Sequence, residues 1–296
     1  MRRLYEAAAE RDLLASQATQ SGSSTARQTA VEKTIAELYG ATRSAYNKAL
    51  AGTQSESILI KLGNADLLAG NTDEATAIFH QVLRRTTHHP EAHVGLGDVL
   101  AKSGDNTTAL AHYEAALARL TDAAQELGVL VRILEIDPTN AEAHLAYGIS
   151  LTRLGRWNEA IAQLSPILEA QPDLIQIHLW IAEAYSGLGD YATALSHLKR
   201  GLGTSATPAA MDSACTQIIT TLRKQFDGGS TPPSDALDLL VDVAKNRIGR
   251  GYPSDAVEAL RLLATIDPIY RHEEVLRLLD AAKVAPQNQT PQGTMD

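Results

Sequence analysis

Apolar side chains recur along most of the chain in steps of three and four residues, with polar residues between them. One stripe of apolar or small residues comprises Val31, Ile35, Leu38, Thr42, Ala45 and Ala49. A longer stripe comprises Leu110, Tyr113, Leu117, Leu120, Ala124, Leu127, Val131 and Leu134. This spacing places the residues on one face of an α-helix. The pattern therefore predicts a chain of amphipathic helices, the first over residues 2–19.

A longer repeat is superimposed on the helical pattern. A Gly is followed five residues later by an Ala at Gly70/Ala75, Gly104/Ala109, Gly155/Ala160, Gly189/Ala194 and Gly251/Ala256. Seven residues before each Gly lies a small residue, which is Gly63, Gly97, Gly148, Ala182 or Ala244. Four residues after each Ala lies a large apolar residue, which is Phe79, Tyr113, Leu164, Leu198 or Leu260. We interpret each copy as two helices joined by a turn at the Gly and packed closely at the small residues.

The clearest copy, Ala141–Pro172, resembles the tetratricopeptide repeat family. It has Gly148, the turn Gly155, Trp157, Ala160 and a closing Pro in the order of the family consensus. Other copies begin near Glu56, Pro90 and Ile175, and a weaker one begins near Leu237. The resemblance implies an all-α fold, a right-handed superhelical solenoid of helix-turn-helix repeats with a helical N-terminal extension.

Two spacings between copies exceed the 34 residues that separate Gly70 from Gly104. The first is 51 residues, and the apolar stripe continues through it without a slip, so we predict one long helix over about 106–136. The alternative is a break at Thr121 or Asp122, because either residue could cap a second helix. The second spacing is 62 residues, which leaves room for a helix at 209–226 and a breaker at 227–234.

These patterns divide the chain into five segments. Residues 1–55 form a helical extension or a degenerate repeat, with the Ser-rich stretch Ser21–Thr25 between its helices. The remaining segments are the repeats (56–208), a helix with a Gly/Pro-rich loop (209–236), a C-terminal repeat with a helix (237–283) and a polar tail expected to be disordered (284–296).

Composition narrows the class of ligand. Ala and Leu supply 86 of the 296 residues, and aromatic residues only 13, which favours closely packed helices. The net charge of −9 argues against nucleic acid as a ligand, since phosphate binding needs a basic face. No apolar run approaches the about 20 residues of a membrane span, and no signal-peptide core is present. We expect a soluble, cytoplasmic protein that is not an integral membrane protein.

Candidate catalytic and metal-binding residues favour structural roles. His93, His144 and His178 occupy equivalent repeat positions, and stacked helices about 10 Å apart cannot share one metal ion. Cys215, the single cysteine, lies among apolar residues, which favours burial. Because no nucleotide-binding loop, nucleophile elbow or HExxH motif occurs, we predict no catalytic residue, no metal and no cofactor.

The candidate binding surface follows from the resemblance. In the family, ligands contact the first helix of each repeat on the concave side. The matching positions here, predicted to bind a protein or peptide, are Ile60, Asn64, Val94, Asp98, Lys102, Leu145, Ile149, Arg153, Leu179 and Glu183.

The chaperone-binding members of the family hold a C-terminal carboxylate in a clamp of basic and amide side chains. Asn64 matches one place of this clamp, but Ile60, Gly95, Glu142 and Ala146 occupy the others. An acidic chaperone tail is therefore not expected to bind.

We predict a noncatalytic adaptor or scaffold that binds a peptide or helix in its concave groove. One alternative is an assembly factor or structural subunit of a larger machine, such as a secretion, pilus or membrane-enzyme complex. Another is the regulatory arm of an enzyme. The stripe of the predicted long helix is also a candidate surface for self-association.

Overall fold

The computed structural model describes residues 1–21, 25–53, 55–203 and 207–285. Within these ranges the chain forms fifteen α-helices and no strand. The chain divides into two compact units, Met1–Ala143 (unit 1) and His144–Asp296 (unit 2). None of the helices in the described ranges is long and apolar enough to cross a membrane. The predicted all-α class is confirmed.

Unit 1 contains seven helices. They are α1 (Arg2–Ser21), α2 (Thr25–Leu50), α3 (Glu56–Ala69), α4 (Thr72–Leu83), α5 (Pro90–Ser103), α6 (Asn106–Leu117) and α7 (Ala123–Ile136). The pairs α3/α4 and α5/α6 are the first two predicted hairpins. Their turn glycines, Gly70 and Gly104, have φ of 89° and 85°, a conformation that Gly adopts without steric cost.

Close contact between paired helices depends on the small residues that mark the repeat. A methyl group at Gly63 would lie 2.7 Å from the Phe79 ring, and one at Gly97 would lie 2.5 Å from the Tyr113 ring. The Phe79 ring also reaches the next repeat, where a methyl group at Gly95 would lie 2.4 Å from it. Phe79 is fully buried and therefore packs within its own repeat and between repeats.

The prediction of one long helix over 106–136 is wrong, and the alternative break is correct. Helix α6 ends at Leu117 and α7 begins at Ala123. The Asp122 carboxylate accepts a hydrogen bond of 2.9 Å from the Gln125 backbone N–H, which caps α7. The apolar spacing conceals this break because it continues across the loop between the two helices, although Tyr113 and Leu127 of the stripe are buried and Val131 is exposed.

Helix α7 follows α5 at the interval of the repeat. Asp98 on α5 and Arg132 on α7 are 34 residues apart, and Arg132 Nε donates to the Asp98 carboxylate at 2.7 Å. The long spacing between copies thus contains one additional helix, α7, between α6 and the copy that begins at Ala141.

The N-terminal segment is a hairpin of two helices that packs on the first repeat. Leu4 and Leu14 of α1 share a buried cluster with Val31 and Ile35 of α2 and with Ala65 of α3. The predicted linker Ser21–Thr25 lies mostly outside the described residues, which omit 22–24.

Unit 2 continues the repeat pattern. Its helices are α8 (Ala141–Arg153, which begins at the end of unit 1), α9 (Trp157–Ala170), α10 (Ile175–Leu188), α11 (Tyr191–Gly201), α12 (Pro208–Asp227), α13 (Ser234–Gly249), α14 (Pro253–Ile266) and α15 (His272–Val284). Helices α9 and α14 both end two residues before a Pro, as the repeat predicts. The marker residues Ala160, Ala194 and Ala256 are fully buried.

One apolar core spans most of unit 2. It extends from Leu179 on α10 through Cys215 on α12 to Ala282 on α15. The predicted helix at 209–226 corresponds to α12, and the Gly/Pro-rich loop after it does not divide this core. Of the predicted disordered tail, residues 286–296 lie outside the described ranges.

Candidate functional site

A cavity of about 760 Å³ lies in unit 1 against the first helices of its repeats. We call it the unit 1 groove. Most of its lining comes from α1, α3, α5 and α7, with Tyr113 from α6, and it includes Tyr5, Asn64, Leu67, Val94, Asp98, Lys102, Val131, Arg132 and Glu135. Because these helices repeat at a fixed interval, Asn64, Asp98 and Arg132 occupy equivalent positions 34 residues apart. At this repeat position the groove thus presents a polar side chain from each of the alternate helices α3, α5 and α7.

A hydrogen-bonded carboxylate occupies the middle position of this series. The Asp98 carboxylate accepts from the Tyr113 hydroxyl at 2.8 Å and from Arg132 Nε at 2.7 Å. Arg132 also donates to the Gly128 carbonyl at 2.6 Å. Tyr113 is only 1% exposed, and burial together with Asp98 raises the pKa of its phenol. The network therefore fixes one negative and one positive side chain on the groove wall.

Four of the ten predicted binding residues line this groove. Asn64, Val94 and Asp98 are half-buried there, and Lys102 is exposed, with its ammonium 3.4 Å from the Leu67 carbonyl. Ile60, by contrast, is 93% buried in the core of the first repeats, so its side chain is not available to a ligand.

The other five predicted binding residues belong to unit 2. Leu179 is 1% exposed and is part of the core. Leu145 packs against the buried cluster of Leu164, Ile177 and Ile181. Ile149 is half-buried and Arg153 is exposed. Glu183 is half-buried, and burial raises the pKa of its carboxyl group although Lys224 opposes the shift.

The sequence interpretation missed Tyr5, Val131, Arg132 and Glu135. Tyr5 belongs to α1, a helix that carries none of the Gly and Ala residues that mark the repeat. The other three belong to α7, which was assigned to the long helix. The 34-residue interval from Asp98 could have identified Arg132, since that interval also separates Asn64 from Asp98.

Two pairs of histidines join the first and second helices of their repeats. In unit 1, His93 Nδ1 lies 3.0 Å from His112 Nδ1, and in unit 2, His178 Nδ1 lies 2.7 Å from His197 Nδ1. In the repeat between them, His144 Nδ1 lies 2.9 Å from the side-chain amide of Gln163. In all three contacts the two residues are 19 positions apart in the chain, so the contacts occupy equivalent positions in their repeats.

The hydrogen positions in the histidine pairs follow from the backbone around them. His93 Nε2 lies 3.1 Å from the Thr87 carbonyl, and His178 Nε2 lies 2.9 Å from the Pro172 carbonyl. A carbonyl only accepts, so in each neutral pair the proton of His93 or His178 is on Nε2. The Nδ1 atom of that ring therefore accepts from the Nδ1–H group of His112 or His197. The predicted absence of a metal site stays a prediction, although no group of three or more ligating side chains suited to a metal ion occurs in the described ranges.

We expect acid to destabilise unit 2 through its histidine pair. Burial lowers the pKa of both His178 and His197. The charge of Arg200 lowers both further, while the Pro172 carbonyl and Asp173 partly oppose the shift of His178. A folded-state pKa below the unfolded value of about 6.5 means that the unfolded chain binds more protons. The stabilisation is therefore complete above about pH 6.5 and is lost as the pH falls below it.

Urea unfolding of the full chain at pH 7.5 and at pH 5.5 measures this effect. The wild-type protein is compared with the His197→Gln variant. The variant copies the natural His144–Gln163 contact, so its unfolding midpoint should fall less between the two pH values than that of wild type. Carboxyl groups such as Glu183 are present in both proteins, so their contribution cancels when the change in midpoint of the variant is subtracted from that of wild type. An equal fall in both would contradict the assignment.

Cys215 is buried, as the sequence predicts. Burial raises the pKa of its thiol, and the sulfur lies 3.8 Å from Asn246 Oδ1. A buried, protonated thiol is a poor nucleophile, so Cys215 acts as a small core residue.

Comparison with known proteins agrees with the repeat analysis. Three tetratricopeptide repeat models match residues 60–126, 112–178 and 176–200. No curated protein matches the sequence.

Solved structures of repeat proteins are similar at low identity. A tetratricopeptide repeat protein from Parabacteroides merdae is 15% identical over 94% of this chain and 99% of its own, with a TM-score of 0.30. MamA from Desulfovibrio magneticus is 16% identical over 64% and 93%, with a TM-score of 0.33. YrrB, a tetratricopeptide repeat protein with an unusual peptide-binding site, is 15% identical over 79% and 96%, with a TM-score of 0.26. The family models, together with the hairpins described above, establish that residues 60–200 of this chain belong to the tetratricopeptide repeat family.

Proposed function

We propose that this protein is an interaction adaptor whose unit 1 groove binds a segment of a partner protein. Its family consists in general of noncatalytic scaffolds that bind proteins or peptides. The observation that supports the groove as the binding surface is its cavity of about 760 Å³, which is within the range of pockets that enclose a ligand.

The chemistry of the groove fits a polypeptide ligand. Val94 and Val131 offer apolar contact, while Asn64 and Lys102 offer hydrogen bonds to a backbone or side chain. The Asp98–Arg132 pair is held in place by Tyr113, so a ligand meets a prearranged surface and little ordering accompanies binding.

Val131→Asp tests this proposal. Val131 is 39% exposed, so the substitution should leave the fold intact while placing a carboxylate in the apolar part of the groove. We expect at least a tenfold loss of affinity for the partner, because an unpaired charge would be buried beneath the ligand. The matched control is Leu13→Asp, which changes an exposed apolar residue of unit 1 outside the groove.

The measurement is crosslinking in the native cell followed by mass spectrometry, with wild type and both variants. Partners of the groove are those that wild type and Leu13→Asp capture and Val131→Asp does not. Capture of the same partners by all three proteins would exclude the groove. Fixed stoichiometry with one set of partners would instead favour a structural subunit of a larger complex.

A further inference from the structure

The His93–His112 pair joins α6 to α5, a helix that lines the unit 1 groove. His93 and Val94 are consecutive on α5, and Val94 lines the groove while the His93 ring contacts α6. Asp98 and Lys102, on the same helix, also line the groove. A change in how α5 rests on α6 therefore moves three groove residues together.

The pair can accept one proton without losing its hydrogen bond. In the neutral pair His112 Nδ1 donates to His93 Nδ1, because His93 Nε2–H is directed to the Thr87 carbonyl. When one proton is added, His93 donates from Nδ1 and His112 accepts, with its remaining proton on Nε2. A second proton leaves two N–H groups facing each other at 3.0 Å, and the contact must open.

The surroundings of His112 favour its neutral state. His112 is half-buried, and its pKa is lowered first by burial, then by His93 of α5 and by His80 of α4. No carboxylate is among the groups that act on His112. The carboxylates at the turn before α5 are Glu56 of α3 and Glu91 of α5, which lie against His89.

We propose that the His93–His112 pair makes the unit 1 groove sensitive to pH, so that double protonation shifts α5 against α6 and releases the bound partner. Release of the bound partner rests on the proposed function of the groove, whereas the movement of α5 is independent of that function. The second proton goes to His112, whose pKa burial lowers, so the transition falls below the ordinary histidine value of about pH 6.5.

Nuclear magnetic resonance on the full labelled chain tests the movement without any ligand. Between pH 7.5 and pH 5.0 we expect the ring signals of His93 and His112 and the backbone signals of Val94, Asp98 and Lys102 to shift with one common midpoint. In His112→Gln the groove signals should lose this transition, since Gln163 already makes the equivalent contact with His144. His93→Gln is the second variant if His112→Gln does not fold.

His197→Gln is the matched control, because it removes the equivalent pair of unit 2 and should leave the transition of the groove unchanged. Groove signals that do not titrate, or that titrate equally in His112→Gln, would overturn the inference. In the binding arm, the affinity for a groove-dependent partner should fall at least tenfold from pH 7.5 to pH 5.5 in wild type and by less than threefold in His112→Gln. Absence of any groove-dependent partner would refute the proposed function, while the resonance titration would still decide whether the pair moves α5.

Discussion

Gly95→Ala is expected to lower the free energy of unfolding of unit 1 by about 2–3 kcal/mol, as overpacking of a tight core does. The added methyl carbon would lie 2.4 Å from the Phe79 ring, which is fully buried and is also in contact with Gly63. The ring cannot retreat, so α5 must move away from α4. Urea unfolding followed by circular dichroism measures the change.

Two further variants separate packing from helix propensity. Gly40→Ala, on the exposed side of α2 with no neighbouring atom within 4 Å, should raise stability by about 0.5–1 kcal/mol because Ala is the better helix former. Phe79→Leu should make the effect of Gly95→Ala smaller, since the shorter side chain leaves room for the methyl group. A stabilising Gly95→Ala would show that the close contact does not exist in solution.

Asp98→Ala is expected to lower the free energy of unfolding by about 2–3 kcal/mol. The substitution removes the acceptor of the buried Tyr113 hydroxyl and the counterion of Arg132. Burial disfavours the charge on Arg132, but Asp98 outweighs this effect and raises the pKa of the guanidinium. Without Asp98 the Tyr113 hydroxyl and the Nε–H group of Arg132 lose their acceptor, while Arg132 keeps its bond to the Gly128 carbonyl.

A double-mutant cycle with Tyr113→Phe isolates the hydroxyl. Tyr113→Phe removes the donor that Asp98→Ala leaves unpaired, so the double variant should be more stable than the sum of the single effects predicts, by about 1–2 kcal/mol. Glu114→Ala, an exposed carboxylate on α6 outside the groove, should change stability by no more than about 0.5 kcal/mol. Strict additivity of Asp98→Ala and Tyr113→Phe would disprove the coupling.

The sequence predicts the repeating part of the fold because helix packing there requires small residues at fixed positions. The turn glycines have positive φ, and the Ala five residues later is buried in each copy. The start of α7 has no such small residue at a repeat position. The apolar spacing continues across the loop between α6 and α7 although α7 buries Leu127, Leu130 and Ile133 and leaves Val131 exposed. The clearest mark of the break is therefore the cap at Asp122.

The residues of the candidate site are harder to predict than the helices, because the sequence does not show how deeply each side chain is buried. Position in the repeat identifies which helix carries a residue but not how deeply the neighbouring helices cover it. Asn64, Val94, Asp98 and Lys102 do line the groove, whereas Ile60 and Leu179 are covered by the cores of their units. Arg132 was missed because its helix was not recognised as part of the repeat.

The reach of the Phe79 ring into two repeats has a consequence for cooperativity. In a linear array, stability is the sum of terms within each repeat and coupling terms between neighbours. Phe79 contributes to both kinds, because one ring fills the gap beside Gly63 and the gap beside Gly95. The two hairpins α3/α4 and α5/α6 should therefore unfold in one step, so that the helix carrying Asn64 and the helix carrying Asp98 are present or absent together.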